Sequence, residues 1–246
     1  MSPCISNVVA AGALLGVTGA YADTANLGEA GAAWVFKLTP SYYATTHQKD
    51  AIDLNLRASH GPHAIWMGHY RRGGEFAQTR VGYEYTAQVS SIQVVPSLQL
   101  ATHGFVGGSI NAQIGGDIYA LLGFGRTNMR DYYNLNFDPN DSVVYGFGTS
   151  PSPRSTFSLF TVKDDRLHTG QIVTHAFWHI MQDDHQRWSV DWSAKHGRAT
   201  VNDESVSGAA LAITYDYRGK FFRLAKDNKV NFTAEDQTRL TVGLRF

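Results

Sequence analysis

Polar and apolar residues alternate one by one along most of this chain, in stretches about as long as a single strand. Ile52, Leu54, Leu56 and Ala58 alternate with Asp53, Asn55, Arg57 and Ser59. Ala77, Thr79, Val81, Tyr83 and Tyr85 alternate with Gln78, Arg80, Gly82 and Glu84. The same rhythm runs through Ile110–Ala120, Ile172–Ile180, Arg187–Lys195 and Ala210–Tyr217. A period of two places one residue class on each face of a strand. Helical periodicity is hard to find.

The pattern predicts strands near 33–43, 49–59, 62–71, 75–86, 90–101, 108–122, 128–135, 142–149, 155–163, 171–181, 187–197, 207–218 and 238–246. That gives thirteen candidates. Residues 128–135 and 142–163 alternate least. Connections are short and turn-forming: Arg72-Gly73-Gly74, Asp138-Pro139-Asn140-Asp141 and Gln182-Asp183-Asp184-His185-Gln186. Pro96 falls within a candidate strand, cannot donate to a ladder, and predicts a local bulge.

The last residues carry the clearest alternation. Leu240, Val242, Leu244 and Phe246 share one face, with Arg239, Thr241, Gly243 and Arg245 on the other. This segment resembles the final strand of Gram-negative outer-membrane β-barrel proteins. The resemblance implies that Phe246 is part of the signal read by the barrel insertion machinery. It also implies that the final strand runs from outside to periplasm. Residues 219–237 then form an outer loop, the 182–186 turn lies outside, and 198–206 is periplasmic. A single-chain barrel of this kind has an even strand number. The expectation is therefore an all-β, single antiparallel up-and-down transmembrane β-barrel of about twelve strands, with ten or fourteen as the neighbouring solutions.

Composition fits that reading. The chain has 246 residues, with Tyr 12, Phe 13 and Trp 5, and 21 basic residues balance 21 acidic ones. Balanced charge gives no field directed at nucleic acid. Mean hydropathy is −0.24, and nothing after residue 22 approaches the roughly 18 apolar residues of a transmembrane helix. Val8–Ala22 is apolar and ends in Ala20-Tyr21-Ala22, an A-x-A cleavage pattern, although no Lys or Arg precedes Lys37. Residues 1–22 are read as a signal peptide and 23–246 as the barrel domain. The single cysteine, Cys4, falls in the segment to be removed.

The polar faces define an expected lumen lined by Asp53, Arg57, His69, Arg80, Glu84, Asp117, His175, His179, Asp191, Lys195, Asp216, Arg239 and Arg245. His63 and Arg71 are assigned to the same face. A hairpin turning at 182–186 would set His175 opposite Ser193 and His179 opposite Ser189, with Asp191 facing Phe177. Ser, His and Asp within cross-strand reach are the ingredients of nucleophilic catalysis. Outer-membrane lipid hydrolases use Ser and His on a barrel strand, but look outward at lipid through a His-x-Ser motif. No His here has a Ser two residues later. Trp34, Trp66, Tyr70, Tyr83, Tyr85, Trp178, Trp188, Trp192, Tyr215 and Tyr217 mostly carry the outward parity, as interface girdles do. Tyr119 and Phe177 are read as inward. The Asp138–Ser142 stretch is a plain turn rather than a calcium loop. No metal or cofactor is expected.

Three functions follow: a narrow channel or structural barrel with a mixed-charge lumen, a lipid-esterase type barrel hydrolase using a Ser/His pair, or a soluble periplasmic β-protein. The expected partners are outer-membrane lipids and the insertion machinery, acting through the C-terminal strand.

Overall fold

The computed structural model describes residues 33–246; the signal-peptide expectation for 1–22 lies outside them. The strands are β1 (Val35–Thr45), β2 (Ala51–His60), β3 (His63–Arg72), β4 (Phe76–Tyr85), β5 (Ala87–Val89), β6 (Ile92–Ala101), β7 (Phe105–Gly115) and β8 (Ile118–Thr127). They continue with β9 (Ser142–Ser152), β10 (Ser155–Asp164), β11 (Ile172–Met181), β12 (Gln186–Gly197), β13 (Val206–Tyr217), β14 (Lys220–Asp227) and β15 (Gln237–Arg245). Neighbours pair antiparallel, and β1 pairs β15, so the sheet closes into a barrel. At that seam Phe36 and Phe246 exchange backbone hydrogen bonds of 2.8 and 3.0 Å. Their rings stack with centroids 5.7 Å apart.

Fourteen strands make the wall. The short β5 pairs only with β6 and prolongs β4 in the same register. The gap falls where Tyr85 would stand opposite Pro96, which lacks the N–H the ladder needs. Pro96 thus interrupts pairing without shifting it, and the expected bulge is absent.

The count of fourteen replaces twelve for three reasons. Residues 108–122 are not one strand but β7 and β8, joined by a turn at 116–117. Residues 128–135 are not a strand. Residues 219–237 contain β14 before the true loop at 228–236. Restoring β14 reverses the up-down alternation upstream of it. The 182–185 turn shares a rim with the start of β1 and the end of β15, and 198–205 lies at the opposite rim, the reverse of the expected placement. Turns on the first rim span two to four residues; every loop of seven residues or more lies on the second.

The wall is inverted relative to a water-soluble protein. Ile52 and Leu54 are 59% and 53% exposed, whereas Asp53 between them is 6% exposed. Arg80 is likewise 6% exposed, while Val81 beside it is 41%. The outward apolar positions continue on every long strand, through Leu98, Ile110, Leu122, Phe147, Trp178, Trp192, Leu211, Phe222 and Val242. Leaving apolar surface in water costs about 25 cal/mol per Å². A continuous shell of it belongs against acyl chains. Strands of eight to twelve residues match the roughly 9–11 that cross a bilayer core when tilted.

Strand β3 breaks the expected parity. Ile65 and Met67 take its outer face, so the odd-numbered His63, His69 and Arg71 point outward with them. His69 bonds Thr79 Oγ1 at 2.8 Å on that outer surface. Trp66 and Tyr70, expected in the outer aromatic set, face inward instead. Of the remaining girdle residues, Trp34, Tyr83, Tyr85, Trp178, Trp188, Trp192 and Tyr217 are outward and exposed, and Tyr215 is half-buried.

Candidate functional site

The loop between β8 and β9, residues 128–141, folds into the barrel and crosses its lumen. Asp141 anchors its far end, accepting from Thr127 Oγ1 at 2.6 Å and from Arg166 Nη1 at 2.9 Å. Tyr132 stacks on Phe105 at 4.2 Å between centroids, and Gln99 donates to its hydroxyl. Burial raises the pKa of that phenol, which stays neutral.

Tyr133 stacks on Tyr70 at 4.9 Å. Its backbone is held by one side chain: Tyr133 N–H donates to Gln78 Oε1 at 2.9 Å, and Gln78 Nε2 donates to Tyr133 O at 3.2 Å. Gln78 thereby satisfies a buried donor and acceptor as a neighbouring strand would. Leu135 packs with Tyr43, Ala51 and Tyr70, and its carbonyl accepts from Arg239 Nη1 at 3.3 Å. Asn231, from the 228–236 loop, reaches the carbonyl of Asn134 at 3.4 Å. Across the lumen, Asp138 Oδ1 lies 3.0 Å from His175 Nε2. The loop is thus tied to β3, β4 and β6 on one side and to β11 and β15 on the other.

Two chambers remain beneath the loop, of about 220 and 200 Å³. Lys37, Phe221, Arg223 and Arg239 line both. Wall charges are organised as cross-strand pairs. Arg80 Nη2 donates to both oxygens of Asp53 at 2.9 and 2.8 Å, reaching across β3 above Gly68. A Cβ at Gly68 would lie 2.9 Å from Arg80 Nη2, so the glycine provides the passage. Arg57 meets Glu84 at 2.5 Å. Asp216 accepts from Arg187 at 3.3 Å and also from Arg245. Lys195 pairs with Asp227 beside a smaller cavity under Asp138.

The two larger chambers hold Lys37, Arg57, Arg80, Arg187, Arg223, Arg239 and Arg245 against Asp53, Glu84, Asp191 and Asp216. Among the described residues this is a surplus of three positive charges.

Most of the lumen residues expected from sequence lie here. Asp53, Arg57, Arg80, Glu84 and Arg239 line the first chamber, and His179, Asp191, Asp216, Arg239 and Arg245 the second. His175 and Lys195 line the smaller cavity, and two further positions of the expected set lie outside the lumen. His69 is on the outer surface, and Asp117 is exposed in the turn after β7, because its strand ends at Gly115. Tyr119 and Phe177 face inward as expected, and Tyr43, Phe105, Phe160 and Phe221 face inward as well, beyond the expected set.

The β11–β12 register sets His175 opposite Ser193 and His179 opposite Ser189, with Asp191 opposite Phe177. The set is not arranged as a triad. Both nitrogens of His175 face carboxylates, Asp138 at 3.0 Å and Asp191 at 3.0 Å, leaving it no serine to activate. His179 Nδ1 meets Ser189 Oγ at 3.0 Å, but Asp191 is engaged by His175 and does not orient it. Among the described residues no group of three His, Cys, Asp or Glu is placed to hold a metal ion.

No protein-family model matches the chain, and no curated protein sequence matches it. Solved structures do. The outer membrane protein Omp33 of Acinetobacter baumannii superposes with a TM-score of 0.55 at 9% identity, covering 87% of this chain and 98% of that one. The KdgM porin gives 0.49 at 9% identity over 85% and 99%. The outer membrane protein OprD of Pseudomonas aeruginosa gives 0.45 at 10% over 87% and 93%. The Omp33 superposition, taken with the closed register and the apolar outer wall, gives this chain the fold of a Gram-negative outer-membrane β-barrel protein.

Proposed function

We propose that this protein is a narrow solute channel of the outer membrane, constricted by the 128–141 loop and open to small hydrophilic molecules. One observation carries the reading: beneath the loop the lumen keeps two chambers walled by charged side chains. Buried charge requires a partner or water, and the described residues of these walls present more cations than carboxylates. A purely structural barrel would fill this space with packed side chains, as small barrels do.

In this reading the short-turn rim faces the periplasm and the long loops face outward, following the general asymmetry of such barrels. Export would depend on residues 1–22, and amino-terminal sequencing of membrane-extracted protein is expected to begin at Asp23. The apolar wall would be covered by outer-membrane lipid. Reconstitution into planar bilayers tests the channel. The expected result is small, discrete conductance steps that grow when residues 130–137 are replaced by a short Gly-Ser linker. Absence of conductance from both proteins, with the barrel folded, would leave the structural reading in its place.

A further inference from the structure

We propose that Arg223 and Arg239 form an anion-binding station where the two lumen chambers meet, taking a small solute by a carboxylate or phosphate group. The inference rests on the channel reading and names the class of solute it would favour.

Four lumen arginines are matched to carboxylates: Arg80 with Asp53, Arg57 with Glu84, and both Arg187 and Arg245 with Asp216. Arg223 and Arg239 are not. Arg223 Nε donates to the neutral hydroxyl of Thr214 at 2.8 Å, and among the described residues it makes no other hydrogen bond or ion pair. Arg239 Nη1 donates to the carbonyl of Leu135 at 3.3 Å, while its Nε is buried without a partner. Tyr43 and Phe137 flank its guanidinium at 5.9 Å. Neutral acceptors hold both groups, aromatic rings flank Arg239, and neither group makes an ion pair among the described residues.

The register brings the two together. Arg239 pairs with Ala225, two residues along β14 from Arg223, which makes them diagonal neighbours about 7–8 Å apart at the backbone. Like charges at this spacing repel, and an uncompensated charge inside a barrel is costly. An anion drawn from solution would offset both. Asp191 shares the second chamber, but His175 Nδ1 engages it at 3.0 Å. In the first chamber Arg80 Nη1 is a further buried donor without a partner.

Guanidinium groups present paired donors that match the two oxygens of a carboxylate or phosphate. A spherical chloride ion cannot use that geometry. Chambers near 200 Å³ fall below the roughly 300–1,000 Å³ of sites for drug-sized ligands, which points to a compact anion.

The test is current block. Chloride current through the purified barrel in planar bilayers is measured while succinate or inorganic phosphate is added. Wild-type current is expected to fall by at least half at millimolar concentrations of one or both. Block by succinate alone assigns a carboxylate solute, and block by phosphate alone a phosphate solute. In R223Q/R239Q the half-blocking concentration is expected to rise at least tenfold. In R223K/R239K, which keeps the charge and loses the fork, it rises less while anion preference persists. Absence of block in a conducting wild type, or equal block in R223Q/R239Q, would overturn the proposal. A non-conducting wild type would count against the channel instead. Calorimetric titration of the detergent-solubilised barrel with the same two anions then decides the station, which stands only if wild type binds one of them and R223Q/R239Q does not. Retained heat-modifiable mobility verifies that each variant is folded.

Discussion

Removing the Gln78 side chain tests whether the inward loop is held by a few specific contacts. Gln78 is 2% exposed and makes two hydrogen bonds to the Tyr133 backbone, at 2.9 and 3.2 Å. Each bond contributes about 0.5–1.5 kcal/mol net, and a buried group left unpaired costs about 1–3 kcal/mol. Water entering the vacated space would recover part of this. A cost of about 2–3 kcal/mol to loop docking in Gln78→Ala is therefore expected. At 1.4 kcal/mol per factor of ten, the ratio of docked to released loop falls roughly 30- to 140-fold. The barrel wall is untouched, because the ladder bonds of β4 are made by backbone. In single-channel recordings Gln78→Ala should add frequent, larger conductance events to the small steps of the wild type. Tyr133→Ala, which loses the stack on Tyr70 and the tilted ring contact with Phe76, should act in the same direction. A conductance distribution identical to wild type in a folded Gln78→Ala barrel would refute the idea that this side chain fastens the constriction.

Further outcomes follow from individual contacts. His175→Ala strands Asp138 and Asp191 without their shared partner and should destabilise the barrel by about 3–5 kcal/mol in urea unfolding, with partial rescue by adding Asp138→Asn; an unshifted midpoint would contradict the pairing. Gly243→Ala would overlap the Phe221 ring, which lies between Lys37 and Arg245 at 5.2 and 5.4 Å, and should cost about 1–3 kcal/mol by overpacking in the same assay. Leu54→Arg, on the outer face, should cost about 2–4 kcal/mol in lipid, whereas a stability equal to wild type would argue that this face meets water. In the 182–185 turn, the backbone N–H of His185 above all, then the side chain and N–H of Gln186, holds the Asp183 carboxyl below its ordinary range. A depressed folded value means the turn's contribution is present above the unfolded pKa and lost as pH falls through the folded one. The amide shifts of His185 and Gln186 should therefore titrate with a midpoint below that of an unperturbed Asp; a midpoint at or above it would contradict the turn geometry.

Inverted alternation is a local property, so it was legible wherever one parity is mostly apolar, as in β2 and β4. Strand number was not, because turns differ in what they do to parity. The turn at 116–117 joins β7 to β8 with Ile114 opposite Ala120. Outward residues keep even numbers across it, and two strands read as one. At Arg218-Gly219 the parity switches, from Tyr217 to Phe222 outward, and the basic residues Lys220, Arg223 and Lys226 disguised β14 as a loop. The segment Tyr133-Asn134-Leu135-Asn136-Phe137 alternates like a strand yet belongs to the inward loop. Its apolar side chains meet Tyr70, Tyr43 and Arg239 inside the barrel, partners supplied by strands distant in sequence. Charge pairing was hidden for the same reason: Arg80 finds Asp53 two strands away over Gly68, a contact fixed by register. His69 shows the converse error, since its polarity suggested a lumen position while Ile65 and Met67 set the face of its strand.

The central claim is a wall that is apolar toward lipid and wet inside, and Ile213 and Thr214 test it side by side. Ile213 is 39% exposed on the outer face, and Thr214 lines the second chamber. Single cysteines at each position, in a Cys4→Ser background reconstituted into liposomes, are treated with a small charged thiosulfonate. The account predicts rapid modification of Thr214→Cys and protection of Ile213→Cys, with a lipid-soluble quencher reaching only a fluorophore at 213. Faster aqueous labelling at 213 than at 214 would contradict it.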